Sequence, residues 1–160
     1  MPSYKTGEIC RATQAVTNEL QIKLPSLSVN EGVARAVVAA FCAQADPSTT
    51  ELADLKCAVS EAVTNCTVHA YRDTVGMIRL TVRLLEGRWV CVEIKDTGCG
   101  IADVRTAREP LFTTDAASER SGMGFTVMES FCDGVQVSSA PGKGCCVRLY
   151  KKLRDRHFRT

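Results

Sequence analysis

Two alternating runs joined by a three-residue turn constrain this chain more than any other feature. Apolar and polar side chains alternate through residues 77–85 and again through 89–95, with Glu86-Gly87-Arg88 between them. Period-two alternation marks half-buried strands, and glycine supplies the positive φ that such a hairpin turn requires. A hairpin with one apolar face needs a cover, and the segments before and after it carry helical patterns able to supply one.

Upstream, Glu19-Leu20-Gln21-Ile22-Lys23-Leu24 alternates over six residues and stops at Pro25, which predicts another half-buried strand. Ser28-Val29-Asn30-Glu31 has the form of a capping box, and Val33, Val37, Ala40, Phe41 and Gln44 follow at helical spacing. The expectation is a helix over 29–45, ended by Asp46-Pro47. Ser48-Thr49-Thr50-Glu51 is a second capping box. Behind it Leu52, Leu55, Val59, Ala62, Cys66 and Ala70 form a longer stripe reaching Tyr71. After the hairpin, Asp96-Thr97-Gly98-Cys99-Gly100 breaks the alternation, and 101–120 reads as a long loop with at most a short helix. Helical spacing returns over 122–131 through Phe125, Met128 and Phe131. Residues 135–138 and 145–150 then close the chain as a hairpin around Pro141-Gly142-Lys143-Gly144. This order predicts an α+β fold, a two-layer α/β sandwich with a mixed, mostly antiparallel sheet and helices on one face.

At 160 residues the chain is one domain's length, and its 45% apolar and 24% charged content suits a globular core. The net charge is only +2, and five basic residues against Asp155 concentrate in 150–160, so only that tail offers nucleic acid a footing. Direct nucleic-acid binding is therefore not expected. Nine cysteines with no CxxC, beside two histidines, fit neither a disulfide framework nor a zinc site. They read as small buried apolar residues in a reducing compartment. No apolar run approaches the ~18–20 residues of a membrane span, so a cytoplasmic protein without membrane contact is expected.

Three short elements carry chemistry. Glu61 and Asn65 lie four residues apart on the second helix, one turn above each other at the edge of its buried face. Such a carboxylate and carboxamide can serve a proton and a hard cation together, though a surface hydrogen bond would use the same spacing. Asp96 ends a strand, and Gly98 and Gly100 after it allow close backbone approach to a ligand; an ordinary acidic turn looks the same. Gly122-Met123-Gly124 opens the third helix, where free N–H groups favour phosphate. Neither glycine pair is followed by the third glycine of a dinucleotide fingerprint, and no GxxxxGK[ST] occurs, so Rossmann and P-loop sites are excluded.

Taken in chain order, ExxxN on a helix, DxGxG at a strand end, a long loop, GxG at a helix start and a final Gly-x-Gly hairpin resemble the GHKL superfamily of ATP-binding domains. Ser60-Glu61-Ala62-Val63-Thr64-Asn65, Pro110-Leu111-Phe112-Thr113-Thr114 and Glu119-Arg120-Ser121-Gly122-Met123-Gly124-Phe125 resemble more closely its anti-sigma F kinase group, over about residues 20–153. The resemblance implies a Bergerat-type fold over 17–153, between a flexible extension, 1–16, and a basic tail, 154–160. It implies that Asn65 coordinates magnesium bridging the ATP phosphates and that Glu61 is the general base. Asp96 would bind the adenine amino group, with Gly98, Gly100 and Cys145 beside the base. Thr113, Thr114 and Ser121 would belong to a loop over the triphosphate, with Arg120 as its phosphate partner. Gly122, Met123, Gly124 and Phe125 would present the helix start to the phosphates.

The same resemblance implies a homodimer that binds and inhibits a sporulation sigma factor, through a face including Arg35, and phosphorylates an anti-anti-sigma antagonist on serine. Arg35 falls about 200° round the helix from Val33 and four residues after Glu31, where a solvated ion pair is the simpler reading. The alternative to the kinase is a sigma-sequestering module whose nucleotide only sets partner preference. The chain departs from the group where Gly144-Cys145-Cys146 replaces Gly-Thr-Thr, whose hydroxyl supports the aspartate, and where Ala70 replaces the glycine after His69.

Overall fold

The computed structural model describes residues 14–109 and 123–155. In chain order the elements are β1 (Val16–Pro25), α1 (Asn30–Cys42), α2 (Thr49–Asn65), β2 (Met77–Leu85), β3 (Trp89–Asp96), α3 (Val104–Ala107), α4 (Gly124–Phe131), β4 (Gly134–Ser139) and β5 (Cys145–Lys152). A 3-10 turn, Ala43–Ala45, extends α1, and a π turn, Cys66–Ala70, extends α2.

The five strands form one sheet in the order β1-β2-β3-β5-β4. Every neighbouring pair is antiparallel, so the sheet is fully antiparallel rather than mixed. Alternation separates its two faces. Leu80, Val82, Val92, Ile94, Val147 and Leu149 join Leu55, Val59 and Val63 of α2 and Met128 of α4 in one core. Fully burying each such side chain stabilises by about 1.5–3 kcal/mol relative to exposure. On the other face an ionic ladder crosses four strands. Arg83 Nε donates to Glu19 Oε2 at 2.6 Å and its Nη1 lies 3.7 Å from Glu93 Oε2, which also accepts from Arg148 Nε at 2.6 Å. Burial alone would raise the Glu93 carboxyl, but Arg148 and Arg83 hold it below the usual range.

The second helix starts as its sequence predicts. Ser48 Oγ accepts from Glu51 N at 3.1 Å while Glu51 Oε2 accepts from Ser48 N at 2.8 Å, a complete capping box. Glu51 Oε1 also accepts from Arg154 N at 2.8 Å, tying the end of the last strand to the start of α2.

The first helix differs in two ways. Its expected capping box is not formed: the helix begins at Asn30, and no side chain caps it. Glu31 instead receives Arg35 at 2.7 Å and Thr64 Oγ1 at 3.3 Å, while Asn30 Nδ2 donates to Pro25 O at 2.9 Å. A tertiary partner on α2 has outcompeted the local cap. The buried stripe is Ala34, Val38 and Cys42, one residue round from that expected, and Val33 is 44% exposed. Small Ala34 permits close approach to α2, which the larger valine would obstruct.

Candidate functional site

A cavity of about 590 Å³ lies between α2, the loop after β3, α3 and the start of α4. At one end sits Asp96, the last residue of β3, 3% exposed and paired across the sheet with Cys145. Its Oδ1 accepts from Gly98 N at 2.9 Å and Cys145 N at 3.2 Å, and its Oδ2 accepts from Cys66 Sγ at 3.4 Å. Among the described residues three donors and no cation hold this buried carboxyl group in place, and its oxygens offer acceptors to a ligand.

The loop carrying this carboxylate is clamped from both sides. Cys99 N donates to Ala70 O at 2.9 Å, at the end of the π turn, and Gly142 N donates to Cys99 O at 2.7 Å. A Cβ on Gly98 would come within 2.2 Å of Ala70 O, and one on Gly144, at φ +74°, within 2.2 Å of Asp96 O. Ser139 Oγ donates to Gly144 O at 2.7 Å and accepts from Ile101 N at 2.8 Å, joining the last hairpin to the same loop. The Cys145 thiol is pushed up to about 12, first by burial and then by the charge of Asp96.

At the other end, Glu61 and Asn65 line the cavity where the first residue of α4 approaches them. A Cβ on Gly124 would sit 3.3 Å from both Glu61 Oε2 and Asn65 Oδ1, so glycine here lets the helix start come close to the pair. Among the described residues no side chain caps α4, and its first N–H groups have no acceptor within the helix. They and the helix dipole favour negative charge beside a carboxylate and a carboxamide. Behind this end, the Arg108 guanidinium, its side chain 8% exposed, pairs with Glu129 and holds the α3 segment against α4.

Glu61, Asn65, Asp96, Gly100, Met123, Gly124, Phe125 and Cys145 thus share one cavity, with Gly98 packed behind its wall. Thr113, Thr114, Arg120, Ser121 and Gly122 lie outside the described residues. Arg35 stands apart from the cavity and is not opposite the core: beside buried Ala34, it donates to Glu31 and, at 3.0 Å, to Ser60 Oγ on α2. Cys66 is a partner of Asp96 that sequence reading missed, because 30 residues separate a thiol that reads as core from the carboxylate it bonds. Among the described residues no group of three His, Cys, Asp or Glu is arranged to hold a metal ion. One carboxamide oxygen next to a carboxylate suits magnesium, which takes few protein oxygens and leaves the rest to water and phosphate. Also among the described residues, no helix is long and apolar enough to cross a membrane.

The histidine kinase-like ATPase domain family matches residues 24–151. An anti-sigma F factor of Caldanaerobacter subterraneus subsp. tengcongensis is 52% identical over 136 residues, covering 85% of this chain and 94% of that protein. The anti-sigma F factor of Bacillus subtilis is 47% identical over 137 residues, 85% of this chain and 93% of that one. Among solved structures, the RsbU and RsbW domains of Rv1364c from Mycobacterium tuberculosis superpose with a TM-score of 0.65 at 20% identity, over 90% of this chain and 35% of that one. Full-length ShkA in complex with AMPPNP superposes with a TM-score of 0.55 at 15% identity, over 92% of this chain and 32% of that one.

Proposed function

The chain belongs to the anti-sigma F factor family of histidine kinase-like ATPase domains, and on that premise we propose that it is an ATP-dependent protein-serine kinase and a sigma-factor inhibitor. It sequesters a sporulation sigma factor and phosphorylates the antagonist protein that would otherwise displace it. The observation that carries this reading is the meeting of Glu61, Asn65 and the start of α4 at one end of a cavity whose other end is the buried acceptor Asp96.

The chemistry follows from that arrangement. Asp96 offers acceptors only, which suits the amino group of adenine. The triphosphate then extends toward α4, where the N–H groups of Gly124 and Phe125 donate to its oxygens. Asn65 would hold magnesium, which would supply charge neutralisation to the phosphates. Glu61 takes the proton of the serine hydroxyl as that oxygen bonds to the γ-phosphorus and the bond to the ADP oxygen breaks. By family resemblance Arg120 balances charge on the γ-phosphoryl group, with Thr113, Thr114, Ser121 and Gly122 contributing to the phosphate loop. Arg35 belongs to the partner face, and its contact with Ser60 links that face to the helix carrying Glu61. The working unit is a homodimer.

The test is transfer of labelled γ-phosphate from ATP to one serine of a purified antagonist-type protein. Glu61→Ala is expected to bind ATP and lose transfer by about 10²–10⁴-fold. ATP binding with no transfer by the unaltered protein would leave the sequestering module as the correct reading.

A further inference from the structure

The carboxylate of Asp96 is held unevenly. Oδ1 receives two backbone donors, Gly98 N and Cys145 N, which occupy both its acceptor positions. Oδ2 receives a single donor among the described residues, the thiol of Cys66, and so keeps one acceptor position for a ligand. We infer that Cys66 is a positioning residue for nucleotide recognition: its S–H, donating at 3.4 Å to Asp96 Oδ2, fixes the oxygen that reads the exocyclic amino group of the base. The inference rests on the proposed role of Asp96 in binding adenine.

Three features support it. Cys66 is 5% exposed, so its thiol is packed against Oδ2 and has no solvent-facing position to turn to. It is the first residue of the π turn, and its own N–H still bonds Ala62 O as in an α-helix, so the thiol sits at the junction where the regular turns of α2 give way to the π turn. Single π turns within α-helices occur frequently at functional sites. The thiol also remains a donor. Burial first, then the negative charge of Asp96, push it far above its ordinary value, so S–H and not thiolate faces the carboxylate at any pH the protein meets.

The specificity consequence is direct. A buried oxygen that can only accept prefers a base that donates there, and a misaimed carboxylate loses that preference while leaving contacts to ribose and phosphate intact. The test compares dissociation constants for ATP and for purine riboside triphosphate, which lacks the amino group, by titration calorimetry. The unaltered protein is expected to prefer ATP by about tenfold or more, the range of a hydrogen bond to a charged group. Cys66→Ala is expected to reduce that preference to about two- to threefold, entirely through weaker ATP binding, and Cys66→Ser, which restores a donor, to recover it. Equal weakening of both nucleotides by Cys66→Ala, or an undiminished preference, overturns the inference. Equal binding of both nucleotides by the unaltered protein defeats the adenine role of Asp96 itself, a distinguishable failure. A second readout is the S–H vibrational band assigned to Cys66 among the nine thiols by its loss in Cys66→Ser. It should shift with ATP and not with purine riboside triphosphate, and the absence of any differential shift contradicts the inference.

Discussion

The two ends of the cavity are built on opposite plans. Asp96 is fixed by a strand end, two backbone donors and a thiol, in a loop so tight that neither Gly98 nor Gly144 has room for a methyl group. Glu61 and Asn65 stand half-buried on a helix, and a Cβ at the start of α4 would meet their side-chain oxygens at 3.3 Å, a tight contact that yields if those side chains shift by a few tenths of an ångström. Reading a base requires a prearranged acceptor in a dry pocket, because selectivity there depends on not relaxing to fit the wrong group. Transferring a phosphoryl group requires a base and charges that close around a substrate arriving from outside. On the proposed roles, the contrast teaches that one end would determine what binds and the other what happens to it.

The same substitution at the two ends should break this comparison if it is wrong. Gly98→Ala has the largest expected effect: a Cβ 2.2 Å from a backbone carbonyl forces the loop away from the π turn, costing about 3 kcal/mol and lowering Tm by about 6–12 °C. Thermal unfolding and ATP titration should both register it. The fixed end should also be sensitive to alkali. Burial raises the Cys145 thiol from an ordinary 9.0 to about 12, so the stability it contributes is complete below about pH 9 and is lost as pH rises from there through about 12. Denaturant midpoints at pH 8, 9, 10 and 11 should fall across that window, and less so in Cys145→Ala. Gly124→Ala should be smaller still in stability, within about 1 kcal/mol, since its Cβ would meet only side-chain oxygens that can shift. Its effect should appear in transfer, which we expect to fall about tenfold while Tm holds.

Much of this organisation is legible in the sequence, for identifiable reasons. The hairpin of β2 and β3 and the Ser48 cap are local, set by alternation and by four consecutive residues, and the structure reproduces both. The family is legible because its motifs are contiguous strings, and the relatives bear it out. The start of α1 fails where Glu31 finds Arg35 and Thr64 rather than the backbone of Ser28, a choice made by a helix 33 residues away. The π turn and the Cys66 contact are equally hidden, because cysteine has no pattern that separates a packed thiol from a donating one. Reading the nine cysteines as buried apolar residues describes Cys42, Cys91 and Cys132, while Cys57 and Cys99 are exposed. The doubt raised by Cys145 in place of a hydroxyl residue has a structural answer: its backbone serves Asp96, and the side-chain donor comes from α2.

The smallest expected effect lies outside the cavity. Arg35→Ala removes a part-exposed ion pair and the bond to Ser60, worth about 0.5–1 kcal/mol of stability by denaturant unfolding. On the proposed partner role it should weaken sigma-factor capture more than it alters ATP binding.

The division of labour is tested most directly by measuring ATP affinity and single-turnover transfer side by side in Asp96→Asn and Glu61→Gln. Asp96→Asn should raise the ATP Kd by about 10–100-fold and leave transfer at saturating ATP within about fivefold. Glu61→Gln should hold Kd within about threefold and lower transfer by about 10² or more. If both variants lose affinity and rate in the same proportion, the two ends do not have separate tasks and the account is contradicted.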